Sequence, residues 1–173
     1  MIKNYEINTQ SHLLVKLAEE TYAINVSKVY QIFEMPSLTK VPQTPPYMLG
    51  IMKARERLLP VIDLRILYGM DVAEHSKHTA IIATACCFEN EVGGEFQDVG
   101  LLVDAVHEVT DIDSSAIERP SMPGNTDGYS CFSGFVRLGE NIVMVLDVDH
   151  LLNTDSIQQL RSTLKTTATL ADN

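Results

Sequence analysis

The sequence predicts an all-β chain organised as a pair of pseudo-symmetric small barrels sharing a waist. Two observations predict it. Strand-length apolar runs separated by turn chemistry recur along most of the 173 residues. One strand plan also appears twice without a gap. Each copy is roughly 60–75 residues, a size at which an isolated β-module is marginal, so the two are expected to pack together. A composition of 45% hydrophobic and 21% charged residues excludes disordered and collagen-like chains.

In chain order, residues 12–17 and 22–24 flank a polar stretch and read as a hairpin, and 29–33 is the next strand. Pro36, Pro42, Pro45 and Pro46 occupy the following loop, where missing N–H donors and restricted φ forbid regular pairing. Residues 48–52 and 58–62 form a second hairpin. Later apolar runs cover 79–88, 99–103, 106–109, 132–138 and 142–148, with Pro120, Pro123 and Gly124 marking a second loop. After about residue 155 the period changes. Ile157, Leu160 and Leu164 fall on one helical face, predicting a short C-terminal helix over about 155–167 that covers a barrel end.

The repeat aligns residues 50–63 with 134–147. Each copy runs from a glycine through an apolar pair, a cation (Lys53 or Arg137) and a turn with Glu56 or Glu140 to an apolar strand ending in Asp63 or Asp147. Upstream, Val26-x-x-Val29-x-x-Ile32 matches Val103-x-x-Val106-x-x-Val109. The copies span about 12–68 and 79–152. Asp63 and Asp147 precede short apolar turns and are expected to cap them by accepting orphan N–H bonds. Gly50 and Gly134 are expected at close backbone approaches or unusual φ. Arg55 and Glu56 belong at an exposed hairpin tip, as do Gly139, Glu140 and Asn141.

Thirteen Lys+Arg against 23 Asp+Glu give a net charge of −10, which opposes binding to phosphate backbones. Residues 1–75 are neutral and 76–173 carry the whole excess. The first barrel is therefore expected to be neutral, and the second, with the tail, acidic and salt-sensitive in its contacts. Cys86, Cys87 and Cys131 form no disulfide framework, and no apolar run resembles a leader or a span. A cytoplasmic protein without membrane insertion is expected. Cys86 and Cys87 point to opposite faces of a strand and read as structural thiols. His75-x-x-His78, with Asp71 and Glu74 nearby, lacks a third strong ligand and reads as a solvated linker, so no metal is expected. No Gly-x-Ser-x-Gly, phosphate loop or His-Glu-x-x-His is present, so no catalytic residue and no cofactor are assigned.

Three blocks carry a resemblance. Thr44-Pro45-Pro46-Tyr47-Met48-Leu49-Gly50 is followed by Arg55 and by Leu59-Pro60-Val61-Ile62-Asp63-Leu64-Arg65. Residues 99–109 and then Val145-Leu146-Asp147 through Leu151-Leu152-Asn153 follow in order. Over about residues 10–165 the chain resembles the CheW family of chemotaxis coupling proteins. The resemblance implies two intertwined SH3-like five-stranded β-barrels and an adaptor without catalysis. It implies one surface for the regulatory domain of a CheA-type histidine kinase, and a groove between the barrels for the hairpin tip of a chemoreceptor's cytoplasmic coiled coil. Membrane association would come only through receptor arrays. Carried over by position, the groove draws on Val29, Gln31, Ile32, Leu49, Gly50, Lys53, Gly100 and Leu102, with Arg55 as the coupling arginine. Alternation alone reads Val29, Ile32, Leu102 and Val106 as core; the resemblance gives them a mixed role.

At the tip the family usually has Asn-Leu-Arg-Gly where this chain has Lys53-Ala54-Arg55-Glu56. Loss of that glycine is expected to cost ~1 kcal/mol if φ must be positive there. Alternatives within the class are an adaptor of a pilus-type pathway or a CheV-like protein without its receiver. The alternative from another class is an SH3- or OB-like ligand- or nucleic-acid-binding module. The acidic charge, with five Phe and no Trp, counts against stacking on bases.

Overall fold

Alternating apolar residues resolve into ten strands among the described residues of a computed structural model, which describes 9–90, 93–119, 131–151, 162 and 164. In order they are β1 (Thr9–Leu17), β2 (Glu20–Asn25), β3 (Val29–Glu34), β4 (Met48–Ala54) and β5 (Arg57–Asp63). A one-turn helix, α1 (Leu64–Leu67), precedes β6 (Ala80–Asn90), β7 (Gly93–Val103), β8 (Ala105–Asp113), β9 (Phe132–Leu138) and β10 (Asn141–Leu146). Strands β7 and β8 run further than their apolar residues suggest, because backbone register with β6 and β1 carries polar residues such as Gln97 and Asp111. Strand β10 stops at Leu146, since Asp147 caps a 3-10 turn at Val148–His150.

The strands form two five-stranded sheets, β8-β1-β2-β10-β9 and β3-β6-β7-β5-β4. Neither sheet is built from one copy of the repeat. Hairpin β1–β2 pairs with β8 and β10, and hairpin β6–β7 pairs with β3 and β5. Each copy lends its first hairpin to the other. The charge division expected at residue 75 therefore does not separate the barrels. The segment 29–103 supplies one barrel and has six cations against nine acidic residues. Segments 9–28 and 104–151 supply the other and have four against eleven. Both barrels are acidic, the second more so.

Among the described residues, each barrel closes through one isolated bridge, Thr39 with Ile51 and Glu118 with Phe135. Gly50 and Gly134 sit at these closures with φ of 152° and 154°. A Cβ on Gly50 would stand 2.6 Å from the Thr39 carbonyl oxygen, and one on Gly134 would meet the Glu118 carbonyl. Close backbone approach is thus the reason for both glycines. Asp63 and Asp147 cap as expected, accepting the N–H of Arg65 at 2.9 Å and of Asp149 at 3.2 Å.

Successive side chains of a strand point to opposite faces, and in β1, β2, β5, β6 and β7 both faces are covered. Leu13, Val15, Ile24, Ile62, Ile82, Leu101 and Leu146 form the waist between the barrels. Met52, Leu59, Val61, Ile81 and Leu102 fill one barrel; Leu14, Ala23, Ile112, Val136 and Val143 fill the other. The expected helix over about 155–167 lies outside the described residues except Ser162 and Leu164, which are helical, with Leu164 packed against the waist.

Candidate partner-binding surface

Strand β3 follows a 3-10 turn, Val26–Lys28, whose cap Asn25 accepts the Ser27 N–H at 2.9 Å. It lies at the edge of its sheet, and one row of its side chains meets solvent. That row holds Tyr30, 50% exposed, and Ile32, 46% exposed; Val26 just before it is also exposed. The other row turns inward: Val29 packs on the waist and Phe33 on the barrel interior, with Gln31 half-buried between them.

The second exposed feature is the β4–β5 tip, where Lys53, Arg55, Glu56 and Arg57 all face solvent. Its positive φ, 57°, falls on Arg55, and not on Glu56 where the family glycine would stand. The expected penalty at Glu56 is therefore absent, and the left-handed residue is the arginine itself. The corresponding tip of the other barrel places Gly139 there, with φ of 62°.

A polar row ties tip to strand. Arg57 Nη1 donates to Asp98 Oδ2 at 2.7 Å. Burial, and then the neighbouring Asp98 carboxylate, raise the Tyr30 phenol above its ordinary pKa. Tyr30, Asp98 and Arg57 thus bring β3, β7 and β5 together on one outer face. Sequence reasoning missed all three. The alternation of Tyr30 with Ile32 was the available signal; nothing local marks Asp98.

The remaining expected residues lie beneath this face. Leu102 is fully buried among Ile81, Leu59 and Val61. Gly100 is closed over, since a Cβ there would stand 2.8 Å from Ile81 Cγ2. Gly50 is buried at the barrel closure, and Leu49 is half-buried against the same interior. The nine expected residues therefore divide into an exposed set (Ile32, Lys53, Arg55), half-buried Val29, Gln31 and Leu49, and a packed set (Gly50, Gly100, Leu102).

Between the barrels, two ion clusters fix the relation of one half to the other. Arg65, 1% exposed, donates to Asp63 through Nε at 3.0 Å and Nη2 at 2.8 Å, and through Nη1 to Asp104 at 2.5 Å. Asp104 also accepts the Ala18 N–H at 2.7 Å. At the matching place in the other copy, Lys28 donates to Asp149 at 2.8 Å, and Asp149 accepts the Cys87 N–H at 2.7 Å. Arg65 and Asp149 each stand two residues past a capping Asp. Their charges are opposite, so the polarity of the pair is reversed.

Cys86 and Cys131 are buried free thiols, and Cys87 is half-buried. Burial pushes the Cys86 thiol up to about 12, so it stays protonated at neutral pH. His75 and His78 are exposed, and no group of three metal-ligating side chains gathers among the described residues. No helix among those residues is long and apolar enough to cross a membrane.

The family model for the CheW-like domain matches residues 11–156. Chemotaxis protein CheW of Klebsiella aerogenes is 26% identical over 148 residues, 86% of this chain and 84% of the relative. Chemotaxis protein CheW of Bacillus subtilis is 28% identical over 156 residues, 88% and 94% of the two chains. The crystal structure of the scaffolding protein TtCheW from Thermoanaerobacter tengcongensis superposes with a TM-score of 0.73 at 28% identity, covering 90% of this chain and 96% of that one. The paired barrels expected from the repeat, and their intertwined five-stranded form implied by the resemblance, are matched by the fold shared with that scaffold. With the match running through both barrels, from β1 past the last 3-10 turn, this chain belongs to the CheW-like domain family.

Proposed function

We propose that this chain is a non-catalytic adaptor that couples chemoreceptors to a CheA-type histidine kinase in a chemosensory array. The observation that carries this reading is the extent of the family match, residues 11–156, over relatives that are themselves chemotaxis CheW proteins. Two barrels give the molecule two outer faces, which suits holding two partners at once. On this reading Ile32, Lys53 and Arg55 meet a partner directly, aided by the half-buried Val29, Gln31 and Leu49. Gly50, Gly100 and Leu102 support them from beneath by packing. The partners are the kinase regulatory domain and the receptor's cytoplasmic hairpin tip. The protein works in the cytoplasm and reaches the membrane through receptors without inserting.

Co-sedimentation with receptor-containing membranes and a CheA-type kinase tests this. The chain is expected to join the pellet and to raise receptor control of kinase activity. An Arg55→Ala variant should pellet less and couple several-fold more weakly while keeping its fold. Neither pelleting nor any change in kinase activity would remove the adaptor reading.

A further inference from the structure

The two barrels correspond position by position, yet Phe33 packs on the interior of one where Thr110 lines a groove in the other. Ala83, Gly100 and Val61 form a row across the first barrel, and Leu14, Ala23 and Val145 the same row across the second. Val29 and Ile32 pair with β6 as Val106 and Val109 pair with β1, each strand bulging between those pairs. Counting outward from these anchors, Tyr30, Phe33, Arg57 and Asp98 correspond to His107, Thr110, Asn141 and Thr21.

In the first barrel these four positions carry the larger side chains. Phe33 packs on the interior formed by Met52, Leu59 and Leu102, and the Arg57–Asp98 pair with Tyr30 lies above it. In the second barrel the smaller replacements leave a groove of about 670 Å³. Its floor is apolar, Leu14, Leu138 and Val143, and its rim carries Thr21, His107, Glu108, Thr110 and Asn141.

We propose that this open mouth binds an aromatic side chain flanked by a basic residue, carried on an exposed loop of a protein partner. The partner supplies in trans what Phe33 and Arg57 supply within the first barrel. Phenylalanine-to-threonine at the Phe33/Thr110 position vacates a ring-sized space over an apolar floor, where an aromatic anchor gains most from desolvation. The cation meets Glu108 at the rim, in the more acidic of the two barrels. A groove of this volume lies within the range of sites that enclose a small ligand or one large side chain with its neighbours. The proposal does not depend on the adaptor reading.

NMR titration of the full chain with acetyl-Phe-Arg-amide tests it. Saturable shifts are expected at Thr21, Glu108, Thr110 and Asn141, with acetyl-Ala-Arg-amide and acetyl-Phe-Glu-amide each roughly tenfold weaker. Thr110→Phe should plug the mouth and abolish those shifts, its fold being checked by its own amide spectrum. Glu108→Gln, a substitution at an exposed position, should keep the fold and remove the preference for Arg over Glu. Equal binding of the Ala-Arg probe would show a merely acidic surface and overturn the aromatic anchor. Shifts that persist in Thr110→Phe, that centre elsewhere, or that never saturate at millimolar probe would overturn the site.

Discussion

Arg55 and Gly139 occupy the same left-handed position in two copies of one turn, and the comparison isolates what the arginine costs. An L-residue with φ near 57° pays roughly 1 kcal/mol that glycine does not. Arg55→Gly is therefore expected to raise stability by about 1 kcal/mol in urea unfolding, and Gly139→Ala to lower it by about as much. Since Arg55→Gly also removes the cation, the coupling role proposed for Arg55 predicts weaker coupling together with better folding, which Arg55→Ala alone does not separate. The ion clusters offer a second contrast between copies. Removing Arg65 strips buried Asp63 and partly buried Asp104 of their shared cation, so Arg65→Met should cost about 3–5 kcal/mol. Lys28 is half-exposed, and Lys28→Met should cost about 1 kcal/mol or less. The hydrogen bond to Asp149 raises the Lys28 pKa above its ordinary value, against a smaller opposing effect of burial. Its contribution is thus complete below the unfolded value of about 10.4 and lost as pH rises through the folded one. Urea midpoints of the parent and Lys28→Met should keep a constant gap near neutrality and converge in strong alkali.

Among the elements, the barrel closures are the most exacting. Gly50→Ala and Gly134→Ala each drive a Cβ onto a carbonyl oxygen while keeping an unfavourable φ. Each should cost about 2–3 kcal/mol by urea unfolding, because the offending atom is backbone and has nowhere to go. These glycines, and the caps at Asp63 and Asp147, were legible in the sequence because turn chemistry is local. Strand positions were legible where apolar residues alternate, as in β9, where the expected 132–138 is the whole strand. The ends of β7 and β8 were not, because there the ladder holds polar residues that carry no periodicity. Partner strands were not legible either. Alternation says which face a residue takes and is silent on which strand lies beside it. The site shows the same limit: the tip and β3 were reached through family motifs, whereas the Tyr30–Asp98–Arg57 row joins residues that only the folded register brings together.

At the scale of the molecule, the shared waist and the exchanged hairpins make the barrels one cooperative unit. Far-UV circular dichroism and tyrosine fluorescence should report one coincident unfolding transition. Fragments cut in the linker between α1 and β6 should each lack cooperative unfolding, because β1–β2 would lose β8 and β10 while β3 and β5 would lose β6 and β7. Mixed together, the fragments should regain the native spectrum. Two separate transitions, or a fragment that folds alone, would show that the exchange contributes little to stability.

The exchange of hairpins also fixes how the protein responds to dilution. A chain holding a single copy of the plan would need a second molecule to accept its first hairpin, and its folding would rise and fall with concentration. The segment that joins α1 to β6 turns that encounter into an event within one chain, where the partner is always present. At any dilution, each half still finds its complement.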